Sequence, residues 1–301
     1  MANKKNSNQA PRNGIGPALE GPYLDLRTGR GNQLAYARIQ GNLDFGQQKY
    51  YWFKGSVMAL RPGHQTQDIL GIQGFGVIRL NQRKDGVIER MCSQLGLFTD
   101  LRSGEVLEEW DNPFTNEKVN VVHVAMTPVN YTIEEFFPPP PGYDESSQGP
   151  MPKIPFILPW YQHGEWIEMQ FNLHMSYPNP LQPNNWPRES AGEMVQASEM
   201  FTHHIKAEDL QNPALTTLDY QGSWGRHTPW MPWMLMGQTP GQCSYNAFMG
   251  SCNHPGEVLS RLVIDYAEKN YSSYFDAPKV MEGRGPSDLE LYAIEQQPAS
   301  N

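Results

Sequence analysis

The stretch HGEWIEMQFNLHMSY, residues 163–177, alternates between two kinds of side chain for most of its length. In an extended chain Glu165, Ile167, Met169, Phe171, Leu173 and Met175 share one face. Trp166, Glu168, Gln170, Asn172 and His174 share the other. A period of two over such a length fits a β-strand with one apolar face. Comparable runs recur along the chain: QLAYARIQ (33–40), KYYWFKGSVMAL (49–60), GIQGFGVIRLN (71–81) and GVIERMCSQLGLFTD (86–100). Each is rich in β-branched or aromatic residues and is bounded by Gly, Asp, Asn or Pro. KVNVVHVAM (118–126), PALTTLDYQGSWG (213–225), GQCSYNAFMGS (241–251) and DLELYAIEQ (288–296) continue the series, and MFTHHIKA within 193–210 favours strand before a turn of helix at AEDL. Asp85-Gly86 in RKDGV predicts a tight hairpin, with both residues at positive φ. Gly71, Gly74 and Gly76 are expected to mark bulges.

Eight to ten antiparallel strands leave two unpaired edges unless the sheet closes on itself. The expected fold is therefore mainly β: a single large antiparallel β-barrel-like domain with a C-terminal helix and a long Pro-rich loop. The helix is expected in NHPGEVLSRLVIDYAEKN (253–270), where Leu259, Leu262, Val263 and Tyr266 fall at helical spacing. Asn253 or His254 would cap it. Residues 1–22 are expected to form a flexible tail, and 23–301 a single domain. Residues 138–159 contain eight prolines and so form neither a central strand nor a helix. The apolar Phe156, Ile157 and Leu158 suggest a lid over the barrel mouth; a surface excursion on the outer face of the sheet is the alternative.

A net charge of −9 with no basic patch argues against nucleic acid and against an anionic membrane surface. No apolar run is long enough to span a bilayer as a helix, and the first residues lack a secretory pattern, so a cytoplasmic location is expected. The three cysteines, Cys92, Cys243 and Cys252, read as buried thiols, with a Cys243–Cys252 bridge as the alternative. The eight histidines show no ligand spacing beyond His163-Gly-Glu165, so neither a metal nor a cofactor is expected.

The densest apolar stretch is QGSWGRHTPWMPWMLMG, residues 221–237. Pro229 and Pro232 break any regular element there. Its tryptophans either plug one end of the barrel or wall a pocket, with Trp224 and Trp230 stacking on a planar ligand. In the second reading Arg226 holds an anionic oxygen and His227 transfers protons, with His203 and Tyr220 as further catalytic candidates. An Arg226 salt bridge to Asp111 or Glu109 is the bland alternative. Tyr51, Trp166, Asn172, His174 and Phe156 complete the expected substrate-binding set; Trp166, Asn172 and His174 belong to a face that is either cavity lining or simply wet.

Three segments, KYYWFKGSV (49–57), GEVLEEWDNPFTNEKVNVVHVAMTPVN (104–130) and YQGSWGRHTPWMPWMLMG (220–237), resemble DUF1838, a bacterial and fungal domain of unknown function. The resemblance runs over roughly residues 30–295, and Trp-Asp-Asn-Pro and Trp-Gly-Arg…Pro-Trp are its most specific parts. It implies one coherent unit and no activity. The function expected from the residues is a cofactor-independent enzyme, a lyase or isomerase using acid–base chemistry on a small hydrophobic, aromatic molecule. A non-catalytic binding protein for a lipophilic molecule, and a structural or assembly protein that forms a homo-oligomer, are the alternatives.

Overall fold

Two antiparallel meanders share one sheet. The computed structural model describes residues 17–139, 144–283 and 285–296. Helix α1 (Gly29–Gln40) precedes the first meander, β1 (Gln48–Leu60), β2 (Gln67–Gln82) and β3 (Ile88–Thr99). Short strands follow: β4 (Glu109–Asp111), β5 (Lys118–Asn120), β6 (Val124–Met126) and β7 (Tyr131–Ile133). After the short helix α2 (Glu145–Gln148) comes the second meander. It comprises β8 (Trp160–His163), β9 (Trp166–Pro178), β10 (Met194–Lys206), a turn of helix α3 (Ala207–Leu210), β11 (Gln221–Thr228) and β12 (Gln242–Cys252). Helices α4 (Arg261–Asn270) and α5 (Asp288–Glu295) end the chain's regular structure. The first and last long strands pair, so the order is β6-β3-β2-β1-β12-β11-β10-β9-β8, with β7 also on β3. Strands β4 and β5 form a separate hairpin, so the run expected as one strand over 118–126 is split.

The ten-stranded sheet curls but does not close. Between its edges the only backbone links described are at the base of the proline loop. Phe136 bridges Pro155, Phe137 N donates to Ile154 O at 2.9 Å, and Phe156 N donates to Glu135 O at 2.8 Å. Prolines have no N–H with which to extend this into a ladder. Helix α1 occupies the gap instead. Gln33 Nε2 donates to Ile133 O at 2.8 Å on the β7 side. On the β8 side, Asn32 Oδ1 accepts from Leu158 N at 2.9 Å and from Trp160 Nε1 at 2.7 Å. A helix seated in the opening thus replaces the strand pairing that a closed barrel requires.

Helix α1 corrects the strand expected at 33–40. Thr28 caps it, its hydroxyl accepting from Gly31 N at 3.0 Å. Ala35 and Ala37 favour helix. Residues 35–39 are all buried, because the helix lies inside the curl. With no wet face, its sequence shows no helical period. Two buried cations secure its end. Lys49 Nζ donates to the carbonyls of Arg38, Ile39 and Leu218, while the Arg38 guanidinium donates to Leu210, Asp209 and Asn212 carbonyls at the end of α3.

The strand expected at 288–296 is also a helix, α5. Ser287 and Glu290 form a reciprocal capping box, with Ser287 N donating to Glu290 Oε2 at 2.6 Å and Glu290 N to Ser287 Oγ at 3.3 Å. Helix α4 lies where a helix is expected, but Ser260 caps it; His254 caps the short turn at 255–257. It flanks the outer face of the sheet, where Leu259, Val263, Ile264 and Ala267 pack with Phe75, Leu95 and Leu97. The tail expected over 1–22 ends too late: Leu19 is already buried in the main core, with Leu24 and Leu26.

Gly74 and Gly76 are not bulges. The β2–β3 register runs unbroken from Gly71 to Gln82; the irregularity lies opposite Val57 and Met58, which face Leu70 and Asp68, so the extra residue is Ile69 of β2, two before Gly71. A Cβ on Gly76 would stand 2.2 Å from the Tyr51 ring, and one on Gly74 2.3 Å from the Phe53 ring. These glycines make room for aromatic rings on the inner face. At the β2–β3 turn only Gly86 has positive φ, +87°, and its N–H closes the turn on Arg83 O.

Candidate functional site

The inner face of the curl encloses a cavity of about 270 Å³. Strand alternation decides what reaches it. Tyr51 and Phe53 come from β1, Arg90 and Gln94 from β3, and Glu199, Phe201 and His203 from β10. Tyr220, Trp224 and Arg226 line the same space, as do Phe171 and Leu173 from β9. Tyr36 and Gln40 reach it from α1, and Tyr131 from β7. Strands β3 and β10 have four others between them in the sheet, so the curl is what brings their side chains together. Leu173, 36% exposed, marks a side open to solvent, whereas Arg90 is 5% exposed.

One wall carries a charge cluster. Arg226 Nη2 donates to Asp288 Oδ2 at 2.9 Å, and its Nε stands 3.6 Å from Glu199 Oε1. The partners are thus Asp288 and Glu199, not Asp111 or Glu109. Register explains the second: Arg226 and Glu199 are direct cross-strand neighbours. Asp288 opens α5, so the salt bridge ties that helix to the sheet. Burial works against the Arg226 charge, and the two carboxylates outweigh it, raising its pKa.

The opposite wall carries phenols and Arg90. Tyr36 and Tyr131 hydroxyls lie 2.9 Å apart, and Tyr51 OH donates to Gln94 Oε1 at 2.7 Å. Arg90 lies over the Tyr131 ring, 4.7 Å from its centroid. Its Nε donates to Gln40 Oε1 at 3.1 Å and its Nη1 to Val129 O at 3.2 Å. Burial raises the pKa values of Tyr36, Tyr51, Tyr131 and the adjacent Cys92, so all four are uncharged at neutral pH.

Further along the β10 wall, His203 meets Tyr220, ring centroids 4.7 Å apart. Burial pushes His203 down to about 3, with Lys49 and His204 acting in the same sense, so the imidazole is neutral. Burial also lowers the Lys49 ammonium to about 7, and its three carbonyl acceptors hold the charged form. Near the cavity, Nδ1 of His203, Nε1 of Trp224 and OH of Tyr245 are buried without a hydrogen-bond partner among the described residues. Each such group costs on the order of 1–3 kcal/mol if left unpaired.

Of the candidates expected from the sequence, Arg226, His203, Tyr220, Tyr51 and Trp224 therefore share one cavity. His227 does not: it follows Arg226 on β11 and so projects from the opposite face, beside Ser198 and Ser244. Trp166, Asn172 and His174 also lie on the outer face of β9 and are exposed, because Ile167, Met169, Phe171 and Leu173 turn inward. His174 pairs there with Ser198, Nδ1 to Oγ 2.9 Å. His163 and His204 approach not Glu165 but Glu168, at 3.7 and 3.5 Å. Phe156 and Leu158 are buried in the main core, and Phe156 packs edge-on to Tyr36, 5.7 Å between centroids. Phe156 thus stands behind the cavity wall and does not line it; the lid expected at 138–159 has its base built into that wall, and residues 140–143 lie outside the described residues.

Trp230 lines no part of the cavity. It and Trp233 form a plug against the Trp-Asp-Asn-Pro-Phe segment. Trp233 meets Phe98 at 5.3 Å and Trp110 at 5.8 Å, and Trp230 meets Phe114 at 6.0 Å. Asn112 Nδ2 donates to Met234 O at 2.9 Å, and its Oδ1 accepts from Phe114 N at 2.9 Å. The two most distinctive segments of the sequence are partners in one packing unit. Cys243 and Cys252 stand at opposite ends of β12, beyond reach of a bridge.

The residues missed from the sequence are chiefly Arg90, Tyr36, Tyr131 and Glu199. For Arg90 a signal was present: Ile88, Arg90, Cys92, Gln94 and Phe98 share a face of β3, and a lone arginine on an apolar face needs a reason to be there. Residues 46–287 match the model of the family described as protein of unknown function (DUF1838). No curated protein matches the chain. Among the described residues, no helix is long and apolar enough to cross a membrane.

Proposed function

We propose, for a chain that belongs to the DUF1838 family, that the cavity takes up a small, planar, largely apolar molecule and performs lyase- or isomerase-type acid–base chemistry on it. One observation carries this reading: a single apolar space is lined on one side by proton donors and a guanidinium, and on the other by a carboxylate and a neutral imidazole. Aromatic walls with a few fixed polar groups suit an organic ligand. The phenols of Tyr36 and Tyr131 stay protonated, and the one O–H their mutual bond leaves over serves as a donor to a developing oxyanion. Glu199 is the base within reach of the same space, with His203 as a weaker one. The unpartnered buried atoms around the cavity fit a site that is completed by what it binds.

The test starts from purified protein and a small-molecule extract, followed by mass spectrometry. Wild-type protein should convert at least one component, and Glu199→Gln should do so roughly 100-fold more slowly, the usual scale of a general base. An extract left unaltered by wild-type protein, together with a molecule released unchanged from it, would replace catalysis by carriage. Carriage has one observation of its own in its favour: the nearest base, Glu199, is already engaged with Arg226.

A further inference from the structure

We propose that the ligand of this cavity is an anion, an aromatic-sized molecule with a carboxylate or acidic enol, and that Arg90 is the residue that recognises it. This rests on reading the cavity as a ligand site.

The two arginines on its walls differ in what surrounds them. Arg226 has two carboxylates, Glu199 and Asp288, and so sits in a cluster with an excess of negative charge. An incoming anion would be repelled there. Arg90 has none among the described residues: its side chain meets an amide oxygen, a backbone carbonyl and the Cys92 thiol, all neutral. Its remaining neighbours are Tyr131, Tyr51 and Tyr36. The phenols and the thiol would offset its charge only as anions, and burial opposes their ionisation. A guanidinium 5% exposed with no countercharge is strongly disfavoured unless something compensates it.

Its geometry is that of a prepared binding group. The Nε and Nη1 bonds fix the plane of the fork, and stacking on Tyr131 holds it flat. The Cys92 thiol is the one further group its side chain meets among the described residues, and the residue lines the cavity. Tyr51 already donates to Gln94, but the Tyr36–Tyr131 pair uses only one of its two O–H groups on itself, which leaves one to turn toward the same anionic oxygens. The apolar part of the ligand would then lie along Phe53, Phe201 and Met249.

The inference is tested by calorimetry at pH 7 with 2-naphthoate and its neutral counterpart, 2-naphthamide, on wild-type, Arg90→Gln and Arg90→Lys proteins. Wild-type protein should prefer the carboxylate by about tenfold or more, the scale of one charged hydrogen bond. Arg90→Gln should bind the amide within about threefold of wild type and lose the preference, and Arg90→Lys should keep part of it. Equal affinities in wild type, or a preference that survives Arg90→Gln, would overturn the assignment while leaving the cavity a ligand site. Failure of wild-type protein to bind either probe would sink the cavity reading and the assignment with it. Should Arg90→Gln not fold, the wild-type comparison and Arg90→Lys still decide the matter.

Discussion

The two walls of the cavity solve the problem of a buried arginine in opposite ways. On the β10–β11 side, Arg226 is paired with Glu199 by strand register and with Asp288 by the placement of α5. On the β3 side, Arg90 is solvated by an amide, a carbonyl and an aromatic face, with no acid beside it. The first arrangement holds the fold together; the second leaves a charge waiting. The contrast teaches that a buried arginine is not by itself a sign of function. What distinguishes the candidate binding group is the absence of an ionic partner among the described residues, together with a cavity to face.

Substitution at the two positions breaks the comparison most directly. Arg226→Met leaves Glu199 and Asp288 side by side without their cation, and should cost about 3–5 kcal/mol of unfolding free energy. Arg90→Met removes an uncompensated charge at the expense of two hydrogen bonds, so the losses and gains should cancel to within about 1 kcal/mol. Urea unfolding of both variants beside wild type measures the difference. Equal, large losses would mean that Arg90 is as structural as Arg226, its task being to hold Gln40 of α1 and the Val129 segment in place.

Acid sharpens the same contrast, because the wall that holds Glu199 also holds His203. Folded protein keeps this imidazole neutral down to about pH 3, whereas the unfolded chain takes up a proton near its ordinary 6.5. The unfolded state therefore binds more protons below pH 6.5. The stability contribution is complete above that value and falls as pH is lowered, by about 2 kcal/mol at pH 5. His123, lowered by burial to about 4, adds a second contribution of the same sign. Stability measured from pH 7 to 5 should fall more steeply for wild type than for His203→Gln, in which the His123 share and a smaller one from Lys49 remain. Parallel curves would show that His203 is hydrated in solution.

How much of this was legible in the sequence depends on whether an element has two different sides. Strand β9 has them, so its alternation in residues 167–173 identifies the inward face correctly. Strand β10 and the helical turn after it follow the same logic. Helix α1 fails because it is wrapped by the sheet, and with Ala35 to Ile39 all buried no periodicity survives. Helix α5 reads as a strand although Ser287-x-x-Glu290 is a capping box, because its short apolar pattern imitates one. Closure was out of reach, since it turns on which carbonyls Gln33 and Asn32 find across the gap. The site was half legible: Arg226, Tyr220 and Trp224 share one side of a two-residue repeat, which also places His227 on the other. Glu199 gains its meaning only from a neighbour on a different strand.

The smallest expected effect comes from the outer face of β9, where polar residues once competed for a place in the site. Asn172 and His174 are exposed, and the hydrogen bond between His174 Nδ1 and Ser198 Oγ is in contact with water. Replacing both with Ala removes no buried group and opens no cavity, so stability should stay within about 0.5 kcal/mol of wild type. Affinity for 2-naphthoate should not change, since inward-pointing Phe171 and Leu173, not these residues, line the cavity. The strand itself separates the two sets of side chains, and a substitution on one face reaches the other only by moving the backbone. A tenfold loss of naphthoate affinity in the double variant, with stability intact, would place the ligand on the outer face among His174, Ser198 and His227. In that event the arginine comparison would describe two ways of building a core and no binding site at all.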